Sequence, residues 1–207
     1  MIRDIISNDS LTLILLGSLL YVIILKRINP TIFDQNLSFK KKELINKISN
    51  SLLGIKSIEI LYNFLFISNL SILLTFFKNK NFELFVYYEL LGFVSIFFVV
   101  KIMLDFIIGR LFSISELMKN YIWQKLVYHN SLGILLLLFN FLIAYSIFDG
   151  YYMILISIYI SLLFLLFSYC SIYFSMKKVI IKNWFYFILY LCTLEIIPYY
   201  YLISNVL

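Results

Sequence analysis

LTLILLGSLLYVIIL, residues 11–25, runs fifteen residues without a charge, between Asp9 and the pair Lys26, Arg27. A helix that crosses a bilayer needs about 20 mainly apolar residues. With its flanks this stretch is long enough, and it reads as a span over about 8–25. Five further runs of the same kind follow, over about 58–77, 84–108, 131–148, 151–174 and 184–206. The 207-residue chain is 63% hydrophobic and 14% charged, whereas soluble domains are nearer half apolar and a quarter charged. A soluble fold of this length has no room to hide so much apolar surface. The expected fold class is therefore all-α, an integral membrane bundle of six transmembrane helices in a single polytopic domain, 1–207. Barrel strands are excluded, because they are about half as long and alternate in polarity. The few breakers, 6 Gly and 2 Pro, suit long uninterrupted helices.

Basic residues set the expected orientation. Seven lie between the first two spans: Lys26, Arg27, Lys40, Lys41, Lys42, Lys47 and Lys56. Arg110, Lys119 and Lys125 lie between spans three and four, with Lys101 at the nearby helix end, and Lys177, Lys178 and Lys182 lie between spans five and six. Only Arg3, Lys78 and Lys80 fall on the other side. Basic flanks stay cytoplasmic, so both termini are expected outside, and a bacterial inner membrane is the expected location. The net charge of +6 then belongs to the membrane flanks, and nucleic acid is not an expected partner. Aromatic residues mark the interfaces: Trp184 to Tyr186 and Tyr199 to Tyr201 at the two ends of span six, Tyr87 and Tyr88 near that of span three, Tyr151 and Tyr152 at that of span five. Arg3 is accompanied by Asp4 and Asp9, and no small-residue cleavage site follows the first apolar run, so the first span is expected to remain in the mature protein.

The segment over about 38–57 places Leu44, Ile45, Ile48, Leu52 and Ile55 at helical spacing, with lysines largely off that stripe. It reads as a basic amphipathic helix on the inner leaflet, meeting anionic lipid head groups; contact with a protein partner is the alternative.

Ionisable residues inside a bilayer are costly and are functional candidates by default. Glu195 lies eleven residues into the sixth span, about 16 Å deep and near the midplane. Burial disfavours its charged form, so it is expected to be protonated and able to donate a hydrogen bond. Pro198 frees the carbonyl of Leu194, and Cys192 shares the Glu195 face. Asn69 and Asn140 fall at similar mid-depth, so a bundle centre built from Glu195, Asn69 and Asn140 is expected. Such a centre is either polar glue between helices or a proton or ligand site. Weaker candidates are Glu89, nearer the outer surface, and Lys101 with Asp105, one turn apart near the inner end. That last pair also reads as an ordinary helix-end couple with a snorkelling lysine.

Cys170 and Cys192 lie in apolar runs and are expected to be buried thiols rather than a disulfide. The one histidine, His129, sits at the inner mouth of span four, in VYHNSLG, and reads as an interfacial residue. No histidine–cysteine set has metal-ligand spacing. Gly-rich phosphate loops, nucleophile elbows and zincin helices are missing from the sequence. No catalytic residue, cofactor or metal is therefore expected, and the chain is not expected to be an enzyme.

SNDSLTLILL (7–16), KRINPTIF (26–33), HNSLGILLLLFNFLIAYS (129–146) and FYFILYLCTLEIIP (185–198) together resemble a family of Bacteroidota membrane proteins known as domain of unknown function 4271. The resemblance extends over nearly the whole chain. Members typically carry a Leu-Tyr-Leu-Cys-Thr-Leu-Glu-Ile-Leu-Pro run at the last motif, so Cys192, Thr193, Glu195 and Pro198 carry over as motif positions with no role attached. Tyr199 to Tyr201 depart from the aliphatic residues expected there. The resemblance implies a multi-span inner-membrane protein and points to phylum-specific machinery, such as type IX secretion or gliding. The resulting expectation is a non-enzymatic structural or accessory subunit of a cell-envelope assembly, with protein partners. The alternative is a small proton-coupled transporter or channel that uses Glu195.

Overall fold

A computed structural model describes residues 9–30, 33, 57–79, 82–111, 115–145 and 150–182. Among them the chain is helical, with α1 at Asp9–Ile28, α2 at Ser57–Asn79, α3 at Leu84–Leu111, α4 at Ser115–Tyr145 and α5 at Gly150–Lys182. All five are long and apolar enough to cross a membrane. The sixth expected span, 184–206, lies outside the described residues. So does the interfacial helix expected over 38–57, except for Ser57, which opens α2.

The helix ends follow ordinary electrostatics. Asp9 lies in the first turn of α1 and Lys26 and Arg27 in its last; Glu59 begins α2 and Lys78 ends it. Acids near an N-terminus and bases near a C-terminus oppose the helix macrodipole. Hydroxyls within the apolar runs bond back to the carbonyl one turn earlier: Ser71 to Ile67, Thr75 to Ser71, Ser131 to Val127, Ser157 to Met153, Ser161 to Ser157 and Ser168 to Phe164. Each hydroxyl is thereby satisfied inside its own helix, as a medium without water requires.

Two helices form the centre. Two thirds of the best apolar window of α2 and of α4 is buried (67% each), against 22–24% for α1, α3 and α5. Helices α2 and α4 run parallel, since the same offset in sequence recurs at two levels of their contact. Their register is constant: Asn130 donates to the Glu59 carbonyl (3.2 Å) and Asn140 to the Asn69 carbonyl (2.9 Å), both across 71 residues. Between these two rungs the backbones touch. A Cβ on Gly133 would lie 2.8 Å from Phe66 Cα and 2.9 Å from its nitrogen, the close approach that small residues allow in membrane bundles. Leu11, Leu15, Phe66, Phe76, Val94, Phe98, Leu132 and Leu136 fill the core around this crossing.

Polar bonds help to tie on the outer helices. Tyr21 of α1 donates to the Leu61 carbonyl of α2 (3.1 Å), Ser68 of α2 pairs with Tyr87 of α3 (3.0 Å), and Tyr128 of α4 pairs with Ser171 of α5. Phe85, Ile96 and Met103 of α3 and Tyr159 and Phe167 of α5 are exposed, forming the apolar outer surface that lipid would cover.

Two details differ from the sequence reading. Helix α4 begins at Ser115, well before the span expected from 131, and α5 continues to Lys182. The extra turns of α4 are polar, yet residues 121–133 are all buried, because protein and not lipid surrounds them. Cys170 is exposed on α5 rather than buried: it falls on the face that the helix turns away from α4.

Candidate intramembrane polar site

Polar side chains gather at two levels of the bundle. The first is near mid-depth. Asn69 donates from Nδ2 to the Leu65 carbonyl one turn earlier (2.9 Å), which leaves its Oδ1 facing α4. Asn140 fills that vacancy, donating to both the Asn69 carbonyl (2.9 Å) and its Oδ1 (3.2 Å). Both residues have no exposed surface. Oδ1 of Asn140 has no hydrogen-bond partner among the described residues. A side-chain amide has two donors and two acceptor lone pairs, so Asn140 retains an acceptor that nothing on α1–α5 fills.

The second level lies at the end where α2 and α4 begin and α3 finishes. Glu59 accepts from Trp123 Nε1 at 2.8 Å across the α2–α4 seam, next to the Asn130 bond to its backbone. On the adjoining face of α4, Lys125 and His129 stand one turn apart; Lys101 and Asp105 stand one turn apart on α3. These four line one small cavity of about 10 Å³, with Phe98 and Leu126 among its apolar walls. That is near the least volume that holds a single water.

All five ionisable groups are buried: Glu59 and Asp105 at 2% exposure, Lys101 and His129 at 4%, Lys125 at 7%. Aromatic rings complete the lining. The His129 imidazole stacks on Phe66 (centroids 4.9 Å apart, 15° between planes) and meets Phe98 edge to face (5.3 Å, 82°). Lys125 Nζ lies 5.6 Å from the Tyr121 ring and 5.8 Å from that of Tyr169 on α5. Charges are expensive in this setting unless they compensate one another. Formally they do: two lysines balance two carboxylates.

The expected site residues thus divide. Asn69 and Asn140 are brought into direct contact. Lys101 and Asp105 come together with Lys125 and His129, and Lys101 is turned into the bundle instead of snorkelling outward. Glu89 is exposed on α3. Glu195, Cys192, Thr193 and Pro198 lie outside the described residues. Sequence reasoning did not single out Glu59, counted Lys125 among the connection charges and read His129 as an interfacial residue. The signal that marks the last two is the repeated spacing of four, 101–105 on one helix and 125–129 on another. Among the described residues no three His, Cys, Asp or Glu side chains gather where a metal ion would bind, and the two lysines oppose a cation.

Comparison with known proteins adds one finding. A family profile described as "Domain of unknown function (DUF4271)" matches residues 11–206. The chain belongs to the DUF4271 family. The match takes in all five described helices apart from the first residues of α1, and also the LYLCTLEIIP motif outside the described residues. No curated protein and no solved structure matches this DUF4271 chain. Its chemistry is therefore argued from its own residues.

Proposed function

We propose that this chain is a non-enzymatic polytopic protein of the bacterial inner membrane that serves as a structural or accessory subunit of a cell-envelope assembly. The observation that carries this reading is the contact between Asn69 and Asn140. Asn69 and Asn140 are fully buried and bonded to each other, which supports polar groups at that level joining helices. The cavity lined by Lys101, Asp105, Lys125 and His129 is water-sized, too small for an organic solute. Type IX secretion or gliding machinery is the place to look first, because the family resemblance points to that phylum. The excess of Lys and Arg in the connections supports outward termini, with the α2–α3–α4 charged level next to the cytoplasm and the basic connections against anionic lipid.

Purification of the native complex in mild detergent tests this reading. Co-purification with a defined set of envelope proteins is the expected result. A protein that always runs alone or only with copies of itself overturns it.

A proton-coupled transporter or channel using Glu195 is the second reading. It is favoured by the unfilled acceptor of Asn140, which suits a protonated carboxyl as donor. It predicts that Glu195→Gln abolishes activity in a deletion-complementation assay while abundance stays unchanged. Full complementation by that variant removes proton chemistry at that position.

A further inference from the structure

The α2–α4 seam carries an inference separate from Glu195 and from any partner. Glu59, Asn63 and Phe66 follow one another at spacings of four and three, so they share one face of α2. The two outer members of that row meet α4: Glu59 accepts from Trp123, and Phe66 abuts Gly133. Asn63 lies between them and is buried, at 6% exposure. Asn130 stands three residues before Gly133 on the facing side of α4, with no exposed surface.

The two asparagine rungs are built differently. At mid-depth Asn69 donates to the carbonyl one turn back, that of Leu65, and its own oxygens receive Asn140. The corresponding carbonyl for Asn63 is that of Glu59. In a helix this carbonyl takes the Asn63 backbone N–H, and Asn130 Nδ2 takes its second lone pair, at 3.2 Å. Asn63 is thus denied the bond that Asn69 makes. One donor and one acceptor are left over on facing helices: among the described residues, Asn63 Nδ2 and Asn130 Oδ1 have no hydrogen-bond partner. The shared Glu59 carbonyl also keeps them near each other. Two atoms bridged by one water stand up to about 6 Å apart, the sum of two hydrogen bonds. The bridging molecule must be small, because the Phe66 backbone and Gly133 close the seam one turn further on.

We propose that one ordered water is bound between α2 and α4, accepting from Asn63 Nδ2 and donating to Asn130 Oδ1. Water both accepts and donates, so a single molecule satisfies both leftover atoms. Buried waters typically serve polar groups of this kind. The water adds a rung to the seam between the Glu59 contact and the Gly133 crossing, and it joins the side chain of Asn63 to α4.

Proton-detected solid-state NMR tests this on the isotope-labelled full-length protein in phosphatidylethanolamine–phosphatidylglycerol bilayers. Each asparagine amide is assigned through its own backbone, so the wild-type protein suffices. The expected result is a cross-peak between the Asn63 side-chain amide and a bound-water proton. Asn69, whose amide is held by the Leu65 carbonyl, is expected to show no such peak. Asn130→Leu removes the acceptor and is expected to abolish the Asn63 water peak while the Asn63 amide signal remains. A wild-type Asn63 amide without a water contact, or in direct contact with Asn130, overturns the proposal. Equal water contact at Asn63 and Asn69 means a generally wetted seam and overturns the single site. An Asn63 water peak that is unchanged in folded Asn130→Leu protein overturns it as well.

Discussion

Gly133→Ala is expected to destabilise the bundle by about 1–3 kcal/mol, the usual cost of overfilling a packed core. The added methyl would meet Phe66 Cα at 2.8 Å and its nitrogen at 2.9 Å. Both are backbone atoms, so no side chain can rotate aside; α2 and α4 must separate. Separation would stretch the rungs on either side, Asn130 to Glu59 and Asn140 to Asn69. Gly92→Ala is the matched control. Nothing lies within 4 Å of the Cβ it would add, and alanine is the better helix former by up to about 1 kcal/mol. Thermal unfolding of the two variants in detergent checks the pair: the Gly133 variant should melt well below the parent and the Gly92 variant at or above it. Equal melting would mean that the two helices do not cross there.

Asp105→Leu is expected to be the more damaging change, at about 3–5 kcal/mol, because it leaves buried lysines uncompensated. Removing both members of the turn, Lys101→Leu with Asp105→Leu, should cost less than the single substitution. Neutral side chains of similar volume leave no stranded charge, and replacing a whole buried charge pair is often close to neutral. A double-mutant cycle on the same melting assay measures the coupling. Additive losses would show that Lys101 and Asp105 do not share an environment, against the common cavity they line.

Membrane character was readable from the apolar runs alone, since lipid imposes helix and length together. The Asn69–Asn140 contact was also within reach. Two amides at the same depth in an apolar bundle have few partners but each other, and counting residues along α2 and α4 finds the depth. The start of α4 was not readable in this way. Glu116, Lys119, Gln124, Lys125 and His129 break the hydropathy of 115–130, and only packing against neighbouring helices shows that 121–130 is buried. Glu59 escaped for a related reason. One carboxylate beside a span looks like a solvated flank until Trp123, 64 residues later, is seen to donate to it. A spacing of four places Lys101 and Asp105 on one face, but only the position of α4 decides that this face looks inward.

The lengths of α4 and α5 have a mechanical consequence. At 31 and 33 residues and about 1.5 Å of rise each, they measure about 46 and 50 Å. A hydrocarbon layer is about 30 Å thick, and spanning helices tilt by at most about 40°. Even at that slope both helices overhang the layer by several ångströms, and at the average tilt by well over 10 Å. The overhanging turns carry Lys119 on α4 and Lys177, Lys178 and Lys182 on α5. Charged turns resist entry into the oil, so they act as a depth stop. In a bilayer, that stop would hold the bundle at one height.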